Sequence, residues 1–148
     1  MKQRIDYKAV APAGYAALIQ LKKYVEGGEL PPALVEIIYL RVSQINGCSF
    51  CVDMHARALR GLGEDERRIA CISAWREAPF YSPAERAALA WAEAVTEIAD
   101  SHAPDDLYEE MSRHFSEAEL VAVTYAAVLM NGFNRIAIGF RLIPPERV

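Results

Sequence analysis

The sequence predicts an all-α protein: a single-domain helical bundle of about six or seven helices over residues 1–148. Three observations carry that prediction. Apolar residues recur at helical spacing through most of the chain. Helix start and stop signals punctuate it: two capping boxes, prolines placed for a first turn, and glycine or Asn-Gly stops. The β-branched residues never settle into strict alternation with polar ones, so no strand is expected.

Residues 13–26 (AGYAALIQLKKYVE) are predicted as the first helix, stopped by Gly27 and Gly28. Pro31 and Pro32 suit the opening of a helix over 32–46, rich in core-forming residues. Asn46 and Gly47 end it, because both tolerate the left-handed conformation. A third helix is expected over 49–61, stopping at Gly61-Leu62-Gly63, and a fourth over 64–76, with Glu64, Asp65 and Glu66 suiting its N-terminal dipole. Ser82-Pro83-Ala84-Glu85 is a capping box that starts a helix to about residue 99. A shorter helix follows over 104–114, and Ser116-Glu117-Ala118-Glu119 caps a long one reaching Phe140.

With 148 residues, 53% hydrophobic and 24% charged, the chain is long enough to bury a core without staples. The apolar share is high for a soluble chain and predicts a homo-oligomer. A net charge of −4 with scattered basic residues gives no footprint for nucleic acid. The N-terminal residues carry no signal-peptide pattern, and the apolar run Leu120–Met130 is too short for a bilayer span. A cytoplasmic location off the membrane is expected, where thiols stay reduced.

Against that background the stretch INGCSFCVDMH, residues 45–55, stands out. It can be read as a redox dithiol, a metal clip or an accident of packing. On a helix turning about 100° per residue, Cys48, Cys51 and His55 share one face within roughly 60°. Cys48 and Cys51 are spaced so that a disulfide can form with little backbone movement. A helix N-terminus favours the thiolate, and His55 lies within reach of Cys51 as a base.

Glu36 sits inside the apolar run LVEII, where a charge needs a partner. If helices 32–46 and 49–61 form an antiparallel hairpin, Glu36 lies about 15 Å below the turn and His55 about 12 Å, at similar depth. A Glu36–His55–Cys51 proton relay follows. Tyr39, one turn from Glu36, is a candidate to orient it; the alternatives for Glu36 are an exposed helix residue facing solvent or a purely structural partner for a residue such as Arg41.

Other residues have blander readings. Cys71 would complete a Cys3His zinc set with Cys48, Cys51 and His55, but its apolar helical surroundings favour an inert core cysteine. His102 and His114 read as solvated. Trp75, Phe80, Tyr81 and Trp91 read as core or subunit interface. Asn131, Asn134 and Arg135 interrupt the apolar last helix and read as inter-helix hydrogen bonding or capping between subunits.

The pattern of Glu36, eleven residues, then Cys48-x-x-Cys51-x-x-x-His55 resembles the AhpD-like alkylhydroperoxidase family of the carboxymuconolactone decarboxylase superfamily. WREAPFYSPAERAALAWAEAVT (75–96) and NGFNRIAIGF (131–140) are similar to stretches of that family, so the resemblance covers roughly residues 30–140. It implies an AhpD-like helical bundle and a thiol-dependent peroxidase acting on alkyl hydroperoxides. Cys51 would be the attacking cysteine, Cys48 the resolving one, and Glu36 and His55 the acid–base pair. No metal or cofactor is implied beyond a redox-active Cys48–Cys51 disulfide. The electron donor would be an external thiol or dithiol, a lipoyl-bearing protein or a peroxiredoxin partner among them.

The best-studied branch carries a second histidine immediately before the attacking cysteine, where this chain has Phe50. Two alternatives stand beside the peroxidase. One is a carboxymuconolactone decarboxylase-type lactone enzyme, which does not rely on a CxxC dithiol. The other is a non-enzymatic thiol redox sensor or disulfide-exchange protein, which needs the same activated thiol.

Overall fold

A computed structural model describes residues 2–145, and among them there are nine α-helices, one 3-10 turn and no strand. The helices are α1 (Tyr7–Val10), α2 (Pro12–Glu26), α3 (Pro32–Asn46), α4 (Ser49–Gly61), α5 (Glu66–Cys71), α6 (Pro83–Thr96), α7 (Ile98–Ser101), α8 (Asp105–His114) and α9 (Glu117–Phe140). The 3-10 turn, Ile72–Ala74, follows α5 directly. The all-α expectation holds, with more helices than the six or seven expected because short pieces accompany the long ones.

Each departure has a local cause. α1 forms because the Asp6 carboxylate accepts the N–H groups of Lys8 and Ala9, and it is brief because Pro12 constrains Ala11 out of the helical region. The helix expected over 64–76 starts late, since Asp65 rather than Glu64 is the N-cap and accepts from the Arg67 N–H. Glu64 turns instead to Arg68, 2.8 Å away. The helix expected to reach residue 99 stops at Thr96, whose hydroxyl donates to the Ala92 carbonyl. α7 then ends on His102, in the left-handed conformation at φ 54°. Both predicted capping boxes are present, at Ser82–Glu85 and Ser116–Glu119.

α3 is the axis of the fold. It buries Leu34, Val35, Ile37, Ile38, Tyr39, Leu40, Val42 and Ser43, residues on nearly all sides. A helix apolar all round must be enclosed, and α3 is flanked by α4, α6 and α9. Its Val35, Ile38, Tyr39 and Val42 join the core that includes Trp91, Val123 and Met130. Ile37 and Leu40 face a second core with Leu59, Ile72, Trp75 and Leu89.

The apolar run Leu120–Met130 lies within α9, which by length and composition alone is apolar enough to cross a membrane. Half of its most apolar window is buried inside the protein. It packs against α2, α3 and α6, as a core helix does.

The stretch from Trp75 to Thr96 folds around two polar centres. Glu93 is buried and accepts from Trp75 Nε1 (2.9 Å) and Arg41 Nε (2.6 Å), with Arg76 pairing from the outside at 2.6 Å. The Arg86 guanidinium donates to the carbonyls of Trp75, Arg76 and Ala78, closing the irregular segment before α6. Trp75, Tyr81 and Trp91 are therefore core residues of this chain, while Phe80 is half-buried at its edge.

Burial opposes a charge on Glu93, but hydrogen bonds from Trp75, Arg76 and Arg41 outweigh it and hold the carboxyl below its ordinary value. A carboxylate lowered by folding adds stability above its unfolded pKa, roughly 4.3. That contribution disappears as pH falls through the folded value. Glu93→Gln should cost about 3 kcal/mol at pH 7, because Arg41 is left without its charge partner. In urea unfolding compared across pH, the gap between variant and wild type should narrow as the buffer is acidified below about pH 4.

Candidate active site

The site is built on the turn between α3 and α4. Gly47 adopts the left-handed conformation, φ 72°, and its N–H returns to the Gln44 carbonyl at 3.2 Å. The Cys48 N–H donates to the Ser43 carbonyl at 3.0 Å, which satisfies the end of α3 and reverses the chain at once. Cys48 is then the N-cap of α4: its sulfur accepts the Cys51 N–H at 3.3 Å. Cys48 and Cys51, each 2% exposed, are joined as a disulfide with their Cα atoms 5.3 Å apart.

The hairpin brings Glu36 and His55 together as the helical rise predicts. Glu36 Oε2 and His55 Nδ1 are 2.7 Å apart. The imidazole is 3% exposed and the carboxylate 16%, so the hydrogen bond is screened little by water. A carboxylate at Nδ1 requires the proton there and leaves Nε2 as the lone-pair nitrogen. Nε2 is buried and has no partner among the described residues. Arg41, the alternative partner for Glu36, is held instead by Glu93.

Tyr39 is placed differently from expectation. Its ring tilts against the His55 ring with centroids 5.1 Å apart, and no hydrogen bond joins it to Glu36. Burial, and then the charges of Glu26 and Glu36, push its hydroxyl well above the ordinary tyrosine value. Tyr39 is therefore a neutral wall that holds the imidazole ring in place.

A cleft of about 150 Å3 opens onto Cys51 and His55. Phe50, Met54, Met130 and Phe133 line it beside them, and α1 and α2 contribute Lys8 and Lys22. Lys22 is paired with Glu26 at 2.5 Å. The apolar wall supplied by α9 has no local signature in the sequence, since Met130 and Phe133 read only as core spacing. Phe50, noted for replacing a histidine, is the half-buried side chain that flanks Cys51.

The remaining candidates fall away from this centre. No three Cys, His, Asp or Glu side chains converge as a metal-ligand set among the described residues. Cys71 is a free thiol, half-buried against the second core. His102 is exposed at the end of α7, whereas His114, expected to be solvated, is half-buried and lies 3.0 Å from Glu110.

Asn131 and Asn134 make their inter-helix bonds within the chain. The Asn46 amide donates to Asn131 Oδ1 (3.0 Å) and Asn134 Oδ1 (2.9 Å). Asn134, fully buried, donates in turn to Ser43 Oγ at 3.1 Å. Asn131 also reaches Thr96 Oγ1 at 3.0 Å, and Arg135 donates to Asn131 Oδ1 at 2.8 Å. These amides bolt the end of α3, directly below the cysteines, to α9 and α6. Asn46, read only as a helix stop, is the hub that the sequence did not reveal.

Comparison with known proteins gives the family and the fold. Residues 12–94, which include Glu36, Cys48, Cys51 and His55, match the model of the carboxymuconolactone decarboxylase family. The uncharacterized protein YdfG of Bacillus subtilis is 41% identical over 138 residues, covering 93% of this chain and 94% of its own. A solved structure from Agrobacterium tumefaciens superposes with a TM-score of 0.95 at 44% identity, over 99% of this chain and all of that one. That protein is of unknown function and a candidate antioxidant defence protein AhpD. An AhpD-core, peroxidase-related protein from Ralstonia eutropha shares the fold at 22% identity, with a TM-score of 0.82 over 94% of this chain and 74% of that one.

Asn134→Ala should destabilise the protein by about 2–3 kcal/mol in urea unfolding, because Ser43 and Asn46 lose buried partners. An Asn134→Ala variant as stable as wild type would show that the amide bolt carries no weight.

Proposed function

Because the chain belongs to the carboxymuconolactone decarboxylase family, with AhpD-like relatives, we propose that it is a thiol peroxidase that reduces organic hydroperoxides. The observation that carries the reading is one cleft lined by both Cys51 and His55, with His55 held by Glu36 at Nδ1 and its Nε2 unpartnered among the described residues. A cysteine next to an oriented imidazole is an activated nucleophile. A second cysteine within bonding distance turns the oxidised product into a disulfide.

In the reduced protein, His55 Nε2 takes the Cys51 proton and Glu36 stabilises the imidazolium. The Cys51 thiolate attacks the outer peroxide oxygen, and the O–O bond breaks. His55 returns its proton to the departing alkoxide, which leaves as an alcohol. Cys51 is now a sulfenic acid. The Cys48 thiolate attacks its sulfur, the S–O bond breaks, and water leaves after protonation. An external dithiol then supplies two electrons and restores both thiols.

The apolar cleft suits an organic hydroperoxide over hydrogen peroxide, since apolar contacts contribute binding only to a substrate with an apolar body. With Phe50 in place of the second histidine, His55 is the sole imidazole in this relay. The cycle needs a reducing compartment such as the cytoplasm. The exposed apolar residues Val121, Tyr125 and Val128 on α9 support assembly as a homo-oligomer.

The test is turnover of cumene hydroperoxide with a supplied dithiol. Wild-type protein should consume peroxide catalytically, and Cys51→Ser should abolish consumption. Cys48→Ser should stop turnover while leaving a sulfenic acid on Cys51 that dimedone traps. If the disulfide forms without turnover under any dithiol, the protein is a redox sensor instead.

A further inference from the structure

The two cysteines of the disulfide line different openings. Cys51 lines the apolar cleft with His55, whereas Cys48 lines a second cleft of about 200 Å3 with Gly47, Ser49, Ile138 and Arg141. Phe50, Ala137 and Leu142 line both and form the partition between them. We propose that the external thiol enters at Cys48, through the cleft carrying Arg141, while peroxide uses the cleft at Cys51. This inference rests on the dithiol chemistry of the proposed function and names the side from which the reductant comes.

Thiol–disulfide exchange runs through attack by a thiolate on one sulfur, with the other leaving in line behind it. The sulfur attacked is therefore set by the side of approach. A thiolate arriving through the second cleft meets Cys48 and expels Cys51. Cys51 departs as a thiolate into the cleft it shares with His55, where Nε2 can take up the proton released as the entering thiol ionised and donate it to the departing sulfur. Approach to Cys51 would instead pass Phe50, Met54, Met130 and Phe133, in a cleft where Lys22 is already tied to Glu26 and Lys8 lies over the Tyr15 ring, and it would expel Cys48, which does not line the cleft with His55.

Arg141 gives the Cys48 side a cation of its own. It is exposed and has no carboxylate partner among the described residues. Its backbone is fixed as the cap of α9, with its N–H bonded to the last turn. A guanidinium at the mouth of the cleft attracts the incoming thiolate and any further negative charge on its carrier.

The reaction balances without another reagent. The thiolate R–S⁻ bonds to the Cys48 sulfur, the Cys48–Cys51 bond breaks, and Cys51 leaves as a thiolate. When the reductant is a dithiol, its second thiolate attacks the sulfur of its own first thiol. That step closes the reductant's disulfide and releases Cys48, so two electrons have passed to the protein.

The experiment uses the oxidised full-length protein and no peroxide, so it stands or falls separately from peroxidase turnover. Mercaptoacetate, 2-mercaptoethanol and cysteamine are each added briefly and quenched with N-ethylmaleimide, and the labels are mapped by peptide fragmentation. The mixed disulfide should lie on Cys48 and the maleimide on Cys51. Rates corrected for thiolate fraction should fall from mercaptoacetate to cysteamine, each step of charge on the order of fivefold. Arg141→Lys should keep that order and Arg141→Glu should reverse it. Adducts on Cys51, adducts spread equally over both sulfurs, or an unchanged order in Arg141→Glu would overturn the proposal.

Discussion

Everything at the site depends on the 2.7 Å hydrogen bond between Glu36 and His55, made across the α3–α4 hairpin. A buried carboxylate needs a partner, and a buried imidazole needs its tautomer fixed. Each meets the other's requirement. The bond requires the two helices to run antiparallel in one register, which Gly47 and the carbonyl of Ser43 establish in a single turn. It also requires Glu36 to have no nearer cation. Arg41, little more than one turn along the same helix, is drawn off by Glu93, and the Glu36–His55 pair is left intact.

The surrounding structure reads as support for that register. α3 is enclosed by three other helices, so it cannot rotate without moving both cores. The Asn46, Asn131, Asn134 and Ser43 amides and hydroxyl fasten its C-terminal end to α9 just below the disulfide. Buried polar networks fix one arrangement because any shift strands several groups at once. In the proposed cycle, the opening and closing of the disulfide would take place on this anchored frame.

Much of this was legible in the sequence because it is written in local spacing. CxxCxxxH on a helix start, and a charge in LVEII at matching depth beyond an Asn-Gly turn, needed only the rise of a helix to be brought together. The helix limits at 32–46 and 49–61 coincide with the observed ones for the same reason: proline and glycine act on their immediate neighbours. The break after Cys71 was not legible, since the irregular segment behind it is closed by Arg86 from α6, and the stop at Thr96 turns on one hydroxyl bonding its own helix at Ala92, which no spacing pattern records. Nor was the cleft, whose Met130 and Phe133 come from a helix about eighty residues away. The roles of Asn46 and Asn134 lay in a contact across 88 residues, beyond any periodicity argument.

The central claim is that Glu36 acts on Cys51 only through His55, and a double-mutant cycle tests it most directly. The quantity to measure is the single-turnover rate of Cys51 oxidation by cumene hydroperoxide in reduced wild type, Glu36→Gln, His55→Asn and the double variant. A relay predicts that His55→Asn slows oxidation by about a hundredfold or more. It also predicts that the double variant is no slower than His55→Asn alone, because Glu36 has nothing left to act through. Losses that multiply in the double variant, or a His55→Asn protein within about threefold of wild type, would contradict it.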